Sequence, residues 1–256
     1  MTVEYKKRLL HLLLDLGEAM LTAGAEVNRV EDTLSRMGQA YGAEKMNVFV
    51  ITSSIVVTMS FSEGDEYTQT RRIQKPIGTD FQKLEQLNAL SRKCCEQVLD
   101  LQDLEKSIHT SCQETKDRTY THIGSILAAG SFAIFFGGTF ADGIIAALFA
   151  VVICFLQEYL DEISPNRMIF NLLGSFLAGI GICLISRWIP FLHEDQIIIG
   201  DIMLLIPGIP MTNAVRDILV GDTISGIMRL VETLLWAGAL ACGFMAAIFI
   251  IGGIIP

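Results

Sequence analysis

The chain has 256 residues, a formal net charge of −9 at pH 7 and six cysteines. An acidic chain without a basic stretch lacks the positive surface that binds phosphate backbones, which excludes nucleic acid as a partner. The charges concentrate in residues 1–118, with 18 acidic and 15 basic residues against 10 and 4 in residues 119–256, so we predict a charged cytosolic domain followed by an apolar transmembrane domain.

The first of these domains, residues 1–118, shows helical and strand patterns in turn. Apolar residues at helical spacing predict two helices before a sheet and two after it. The predicted helices are 6–21, 26–41, 81–99 and 103–117. Segments rich in Val, Ile, Thr and Tyr predict a three-stranded antiparallel meander. The predicted strands are 47–51, 54–61 and 66–73. The domain is therefore expected to be α+β.

Polar residues on the second predicted helix raise the question of an enzyme site. Glu26, Arg29, Glu31 and Asp32 could form a catalytic cluster, but a solvated helix face with an i, i+3 ion pair is the favoured interpretation. Ser53-Ser54 lies in a turn without the Gly-x-Ser-x-Gly context of a nucleophile. Cysteines and histidines show no metal-ligand spacing. We therefore predict no catalytic residue, no metal and no cofactor.

Five apolar stretches occur in residues 119–256, each near or above the roughly 20 residues that cross a bilayer core. The predicted spans are 120–136, 144–160, 168–189, 197–220 and 227–255. The first two are the shortest, so a re-entrant hairpin is an alternative for them. The fold class predicted for the chain is an α-helical integral membrane protein with about five transmembrane helices and an N-terminal cytosolic α+β domain.

Basic residues near the ends of the predicted spans indicate an orientation in the cell (inner) membrane. With the N-terminus in the cytoplasm, six basic residues flank the cytoplasmic side, and Arg187 is the exception on the outer side. These six are Lys106, Lys116, Arg118, Arg167, Arg216 and Arg229. The bias predicts a multi-pass protein with its N-terminus in the cytoplasm and its C-terminus outside.

The fourth predicted span is interrupted. Pro207, Gly208 and Pro210 remove backbone donors and are expected to break the helix near the middle of the membrane. Discontinuous spans often form transporter substrate sites, although a kink that only shapes packing is the alternative. A carboxylate such as Asp201 costs roughly 2.5–3.5 kcal/mol at a helix centre, so it is expected to face protein or water. We hypothesise a substrate path lined by Asp201, the break and Asn213.

Two motifs in the chain resemble the threonine/serine exporter family (ThrE). The longer motif covers the interrupted span and the start of the next one: Leu204-Leu-Ile-Pro207-Gly208-x-Pro210-x-x-Asn213-Ala214-x-x-Asp217-x-x-x-Gly221-Asp222-x-x-Ser225-Gly226-x-x-Arg229. The shorter is a cytosolic motif, Gly24-Ala25-Glu26-x-x-x-Val30-Glu31, followed by the strand start at Ser53. The resemblance adds Asp217 to the substrate path and singles out Gly24, Glu26 and Glu31 in the cytosolic domain.

Members of this family are either fused proteins of about ten spans or pairs of separate chains. The span count predicted here matches the larger chain of the split, two-component type (YjjP-like). That type implies a second small membrane subunit of about five spans, or self-association of this chain. The resemblance implies efflux of threonine and serine driven by the proton-motive force. Export of C4-dicarboxylates such as succinate is the alternative within the family.

The residues themselves lean towards the amino acid, because the predicted spans hold almost no buried cation to bind a dicarboxylate. Two readings from other classes stay open. In the first, the chain is a membrane-anchored ligand sensor, whose α+β domain binds a ligand and whose spans transmit the signal. In the second, it is a membrane-bound hydrolase that depends on Glu26, Glu31 or Ser53.

Overall fold

The computed structural model describes residues 2–62, 64–74, 78–113, 118–163 and 166–254. Helices dominate, with one three-stranded sheet near the N-terminus. The chain divides into two compact units. The first unit comprises Met1–Thr115 and Ile209–Leu230, and the second comprises Lys116–Gly208 and Val231–Pro256.

The N-terminal part of the first unit has the predicted order of helices and strands. Its helices are α1 (Val3–Thr22), α2 (Val27–Ala40), α3 (Phe81–Glu96) and α4 (Leu101–Cys112). Its strands are β1 (Lys45–Ile51), β2 (Ser54–Ser60) and β3 (Glu66–Arg72). Both strand pairs are antiparallel, in the order β1-β2-β3, which confirms the meander. Residue 63 of the second turn and the predicted helix end at 114–117 lie outside the described residues.

The core of this part forms between α1 and the sheet. In β2, Ile55, Val57 and Met59 are buried while the residues between them are half-buried, as the period of a strand requires. From α1, Leu13 and Met20 are fully buried in the same cluster. Burial of these apolar faces is the main source of stability for the sheet.

Two further helices contribute to the first unit: α9 (Gly208–Val220) and the start of α10 (Thr223–Ile254). They are joined by a tight turn at Gly221, whose φ of +110° suits glycine. A Cβ at Gly226 would lie 2.8 Å from the carbonyl oxygen of Ala214. The glycine therefore permits close packing of α10 on α9.

The second unit is built from α5 (Arg118–Phe135), α6 (Phe140–Ile163), α7 (Arg167–Trp188), α8 (Glu194–Leu205) and the remainder of α10. Small residues bring its helices together. A Cβ at Gly179 would lie 2.8 Å from the Cβ of Ala247, and one at Gly243 would lie 2.5 Å from the carbonyl oxygen of Leu172. These contacts pack α7 against α10 within this unit.

Three helices of the described chain are long and apolar enough to cross a membrane: Phe140–Tyr159, Arg167–Trp188 and Thr223–Gly252. A fourth is obtained if α8 and α9, bent by 55° at their break, count as one span. The predicted number of five is not confirmed, because α5 does not qualify: its first turns are polar, with Arg118 and His122 among them. The predicted end of the last span at 255 lies outside the described residues.

The break predicted within the fourth span is confirmed. Helix α8 ends at Leu205 and α9 begins at Gly208, which leaves Ile206 and Pro207 between them. Pro210 lies in the first turn of α9, where a missing N–H costs no helical hydrogen bond. The prolines therefore separate two helices instead of kinking one.

Candidate functional site

The turn between α1 and α2 has a backbone conformation that requires glycine. Gly24 has a φ of +95°, and a Cβ at this position would lie 2.7 Å from the carbonyl oxygen of Gly78. The N–H of Gly78 donates to the carbonyl of Thr22 at 2.9 Å, which holds the neighbouring segment against the turn. Gly24 of the cytosolic motif thus fixes how the chain leaves α1.

Helices α9 and α10 supply hydrogen-bond donors to the carbonyls of this turn. Asn213 donates from Nδ2 to the carbonyl oxygen of Gly24 at 3.4 Å. Arg229 donates from Nη2 to the carbonyl oxygen of Ala25 at 3.0 Å. Because the C-terminal end of a helix carries partial negative charge, an arginine is a favourable partner beside the end of α1. The two motifs of the sequence, about 190 residues apart, meet at this turn.

A buried ion pair completes the contact at the start of α2. The carboxylate of Asp217 lies 3.1 Å from Nη1 of Arg229, and both side chains are more than nine-tenths buried. The backbone N–H of Val27 also faces this carboxylate. The N-cap residue of α2, Glu26, makes no side-chain capping bond. Asp217 therefore supplies, from another helix, the negative charge that a helix N-terminus favours.

The other two acids of the cytosolic motif have different partners. Glu26 accepts a hydrogen bond from Nη1 of Arg216 at 2.8 Å, in a pair whose arginine is largely exposed. Glu31 accepts from the backbone N–H of Val50 at 2.8 Å. Burial raises the pKa of Glu31, the Val50 bond opposes this rise, and the charge of Asp222 adds to it. Both acids therefore hold elements of the first unit together.

The four polar residues considered as a catalytic cluster do not converge on one point. Asp32 pairs with Arg36 at 2.9 Å, one turn further along α2, so the ion pair of this helix has i, i+4 spacing where the sequence favoured i, i+3. Glu26 and Glu31 bind separate partners, whereas Arg29 and Asp32 line a common groove that neither of these glutamates lines. Among the described residues, no group of His, Cys, Asp or Glu could hold a metal ion.

The second unit contains a buried carboxylate of another kind. Asp201 on α8 is fully buried, and neither of its carboxylate oxygens has a hydrogen-bond partner within the described parts of the chain. Its neighbour Gly200 lies so close to α5 that a Cβ there would be 2.6 Å from the carbonyl oxygen of Ala129. Burying a carboxylate without a partner is costly, so an acid in this position is a candidate for function.

Asp142 is also fully buried in the second unit, but it is well satisfied. Its carboxylate accepts hydrogen bonds from the backbone N–H and hydroxyl of Thr139, at 2.7 and 2.8 Å. The backbone N–H of His193 donates at 2.8 Å, and Nδ1 of the same residue lies at 2.9 Å. Asp142 therefore fastens the start of α6 to the residue that precedes α8, which is a structural role.

The hypothesised path residues fall in different units. Asp201, Pro207 and Gly208 belong to the second unit, whereas Pro210, Asn213 and Asp217 belong to the first. Sequence reasoning missed Arg229 as a site residue and used it only to orient the chain. Its position at the end of the longer motif was the available signal.

These features point to a class and then to a family. A broken apolar helix beside a buried acid, together with several apolar helices, is typical of transport proteins. The putative threonine/serine exporter family (ThrE) matches residues 11–251, and the chain belongs to that family.

Relatives of the chain include proteins of two lengths. It is 26% identical to the probable succinate transporter subunit YjjP of Klebsiella aerogenes, over 82% of this chain and 81% of that protein. It is 22% identical to YjjP of Escherichia coli (strain K12), over 98% of both. It is 21% identical to the threonine/serine exporter of Corynebacterium glutamicum, over 91% of this chain but only 49% of that protein. No solved structure matches the chain.

Proposed function

We propose that the chain is the larger subunit of a two-component exporter of the small amino acids threonine and serine, and that it is not an enzyme. In this proposal, residues 1–118 are cytosolic and residues 119–256 lie in the inner membrane, with the C-terminus outside. The length of the relatives supports a separate subunit, because the chain spans nearly the whole of one YjjP but about half of the longer exporter.

The strongest support for a transport role is the buried acid of α8. Asp201 lies four residues before the end of a helix that stops at Leu205, directly ahead of the break at Pro207. Acids inside membrane helices usually mark substrate or proton pathways. A carboxylate that lacks a partner among the described residues is free to bind an ammonium group or a proton during the transport cycle. Coupling to the proton-motive force would use the same group.

The charges of the second unit favour an amino acid as the substrate. Its buried charged residues, among those described, are the acids Asp142 and Asp201, with no buried lysine or arginine. An acidic interior attracts the ammonium group of an amino acid and repels a dicarboxylate. Succinate is the second candidate, because two relatives of similar length are named as probable succinate transporter subunits.

Counterflow in proteoliposomes separates these substrates. Vesicles holding the chain, alone or with the small membrane subunit that the proposal requires, are loaded with unlabelled threonine, serine or succinate and exposed to the labelled compound. We expect exchange of threonine and serine that requires the second protein. Exchange of succinate without exchange of threonine or serine would identify succinate as the substrate instead. The absence of exchange for all three compounds, with the second protein present, would reject the exporter function.

Variants of α8 then test the role of Asp201. We expect Asp201→Asn to lower exchange at least tenfold, because an amide neither carries a charge nor releases a proton. Asp195→Asn, an exposed acid in the first turn of the same helix, is the matched control and should retain exchange. Equal exchange by both variants would remove Asp201 from the pathway.

A further inference from the structure

A groove of about 600 Å³ lies between α2 and α3 in the first unit, and neither Asp217 nor Arg229 lines it. Nine of the ten residues that line it are polar, Cys95 being the exception, and each helix contributes five residues at helical spacing. The lining residues are Asn28, Arg29, Asp32, Thr33, Arg36, Asn88, Ser91, Arg92, Cys95 and Glu96. The volume is in the range of small-molecule sites, but the lining is more polar than is usual for them.

The arginines of the groove give it positive charge in an acidic protein. Arg36 is paired with Asp32, so that these two charges offset each other. Arg29 and Arg92 have no ion pair within the described residues, whereas Glu96 is the remaining acid of the lining. The groove thus carries a net charge of about +1, with two guanidinium groups free to bind. Guanidinium forks match the paired oxygens of carboxylates and phosphates.

Hydrogen-bonding groups between the arginines narrow the chemistry of the ligand. Oδ1 of Asn28 is buried and accepts no hydrogen bond from any described residue. Such an oxygen needs an N–H or O–H donor, which a bare carboxylate lacks at neutral pH. Thr33, Asn88 and Ser91 add further groups of the kind that bind hydroxyls. With no aromatic side chain in the lining, a stacked nucleobase is not favoured.

We propose that this groove is a binding site for a small hydroxylated anion, such as a hydroxycarboxylate or a sugar phosphate. The acidic groups of the ligand bind Arg29 and Arg92, and a hydroxyl group donates to Asn28. Neither the family nor the proposed export of amino acids requires such a site. Helix α2 begins at the turn that Asp217 and Arg229 contact, and the same helix lines the groove. A ligand bound in the groove would therefore contact the helix whose N-terminus Asp217 and Arg229 hold.

Calorimetric titration of the full chain in detergent tests the proposal with four probes: citrate, glucose 6-phosphate, succinate and inorganic phosphate. We expect saturable binding of citrate or glucose 6-phosphate, at least tenfold tighter than that of succinate and phosphate, which lack hydroxyl groups on carbon. Binding of citrate without glucose 6-phosphate would assign a carboxylate ligand, and the reverse would assign a phosphorylated one. Succinate binding as tight as citrate would overturn the role of the hydroxyl group, and no saturable binding at millimolar concentration would overturn the site.

Variants of the groove residues distinguish specific binding in the groove from a general effect of charge. Arg29→Gln with Arg92→Gln should weaken binding at least tenfold. The control that removes the same charge outside the groove lining and its two helices, Arg72→Gln with Lys106→Gln, should bind as the unmodified chain does at about 0.15 M salt, where charges beyond about 8 Å are largely screened. Asn28→Ala should abolish the preference for hydroxylated anions over succinate. Equal losses in the groove pair and the control pair would show a nonspecific charge effect and contradict the proposal.

Discussion

Asp217 and Asp201 are both buried carboxylates, but their surroundings differ. Asp217, in the first unit, faces the guanidinium group of Arg229 and the first amide of α2. Asp201, in the second unit, has no hydrogen-bond partner among the described residues for either of its oxygens. In a buried ion pair, the attraction between the partners offsets the cost of burying their charges, whereas a buried charge without partners lowers stability and is retained for another reason. The comparison therefore assigns a structural role to Asp217 and leaves Asp201 as the acid on which the proposed transport function depends.

The largest effect is expected from breaking the buried ion pair of Asp217 and Arg229. Asp217→Asn leaves the guanidinium of Arg229 buried beside a neutral amide, and loss of one partner of such a pair costs about 3–5 kcal/mol. Unfolding of the full chain by guanidinium chloride in detergent should show this loss in the free energy of unfolding. Arg216→Ala, which removes the largely exposed pair with Glu26, is the control and should cost about 1 kcal/mol or less. Equal losses would mean that the burial of Asp217 has no energetic consequence.

The turn that receives these contacts should be the next most sensitive feature. Gly24→Ala forces a side chain into the left-handed region and against the carbonyl of Gly78, so we expect a loss of about 2 kcal/mol or more. Gly64→Ala is a matched control, because its φ is +80° but a Cβ there would have nothing within 4 Å. The control should lose only the conformational part, about 1 kcal/mol. The difference between the two melting temperatures measures the close approach at Gly24.

The unsatisfied acid should respond in the opposite way to the same substitution. Asp201→Asn removes a charge that nothing among the described residues compensates, so the free energy of unfolding should stay within about 1 kcal/mol of the original or rise. The measurement is the same denaturant titration used for Asp217→Asn. A loss as large as that of Asp217→Asn would show that Asp201 has a structural partner, and the contrast between the two acids would be wrong.

The smallest effect is a dependence on pH through Glu31. Since burial raises the pKa of this acid, the native chain holds the proton more tightly than the unfolded chain. The contribution of Glu31 to the free energy of unfolding is therefore fully present below the ordinary glutamate pKa. It is lost as the pH rises through the raised pKa of the native chain. Glu31→Gln keeps an oxygen for the N–H of Val50 and should flatten this part of the stability profile. An unchanged pH profile of the unfolding midpoint would contradict this assignment.

Local patterns predicted much of the first unit and only part of its contacts. The strand 66–73 was predicted within one residue of its observed end at Arg72, because alternation and the flanking turns are local signals. The grouping of Ile209–Leu230 with the N-terminal residues was not predicted. The apolar periodicity of this helix is the same as that of any membrane segment. Long-range hydrogen bonds such as that of Asn213 to Gly24 produce no periodic pattern in the sequence by which they could be predicted.

The bond between Glu31 and Val50 also bears on how the protein avoids self-association. Strand β1 lies at one edge of the sheet, where unpaired N–H groups invite a strand from another molecule. The carboxylate of Glu31 occupies one such N–H. At the other edge, Arg71 of β3 is held by Asp15 at 2.8 Å and Glu18 at 3.0 Å. Both borders of this small sheet thus carry charged side chains that disfavour strand addition and the growth of β-aggregates at high protein concentration.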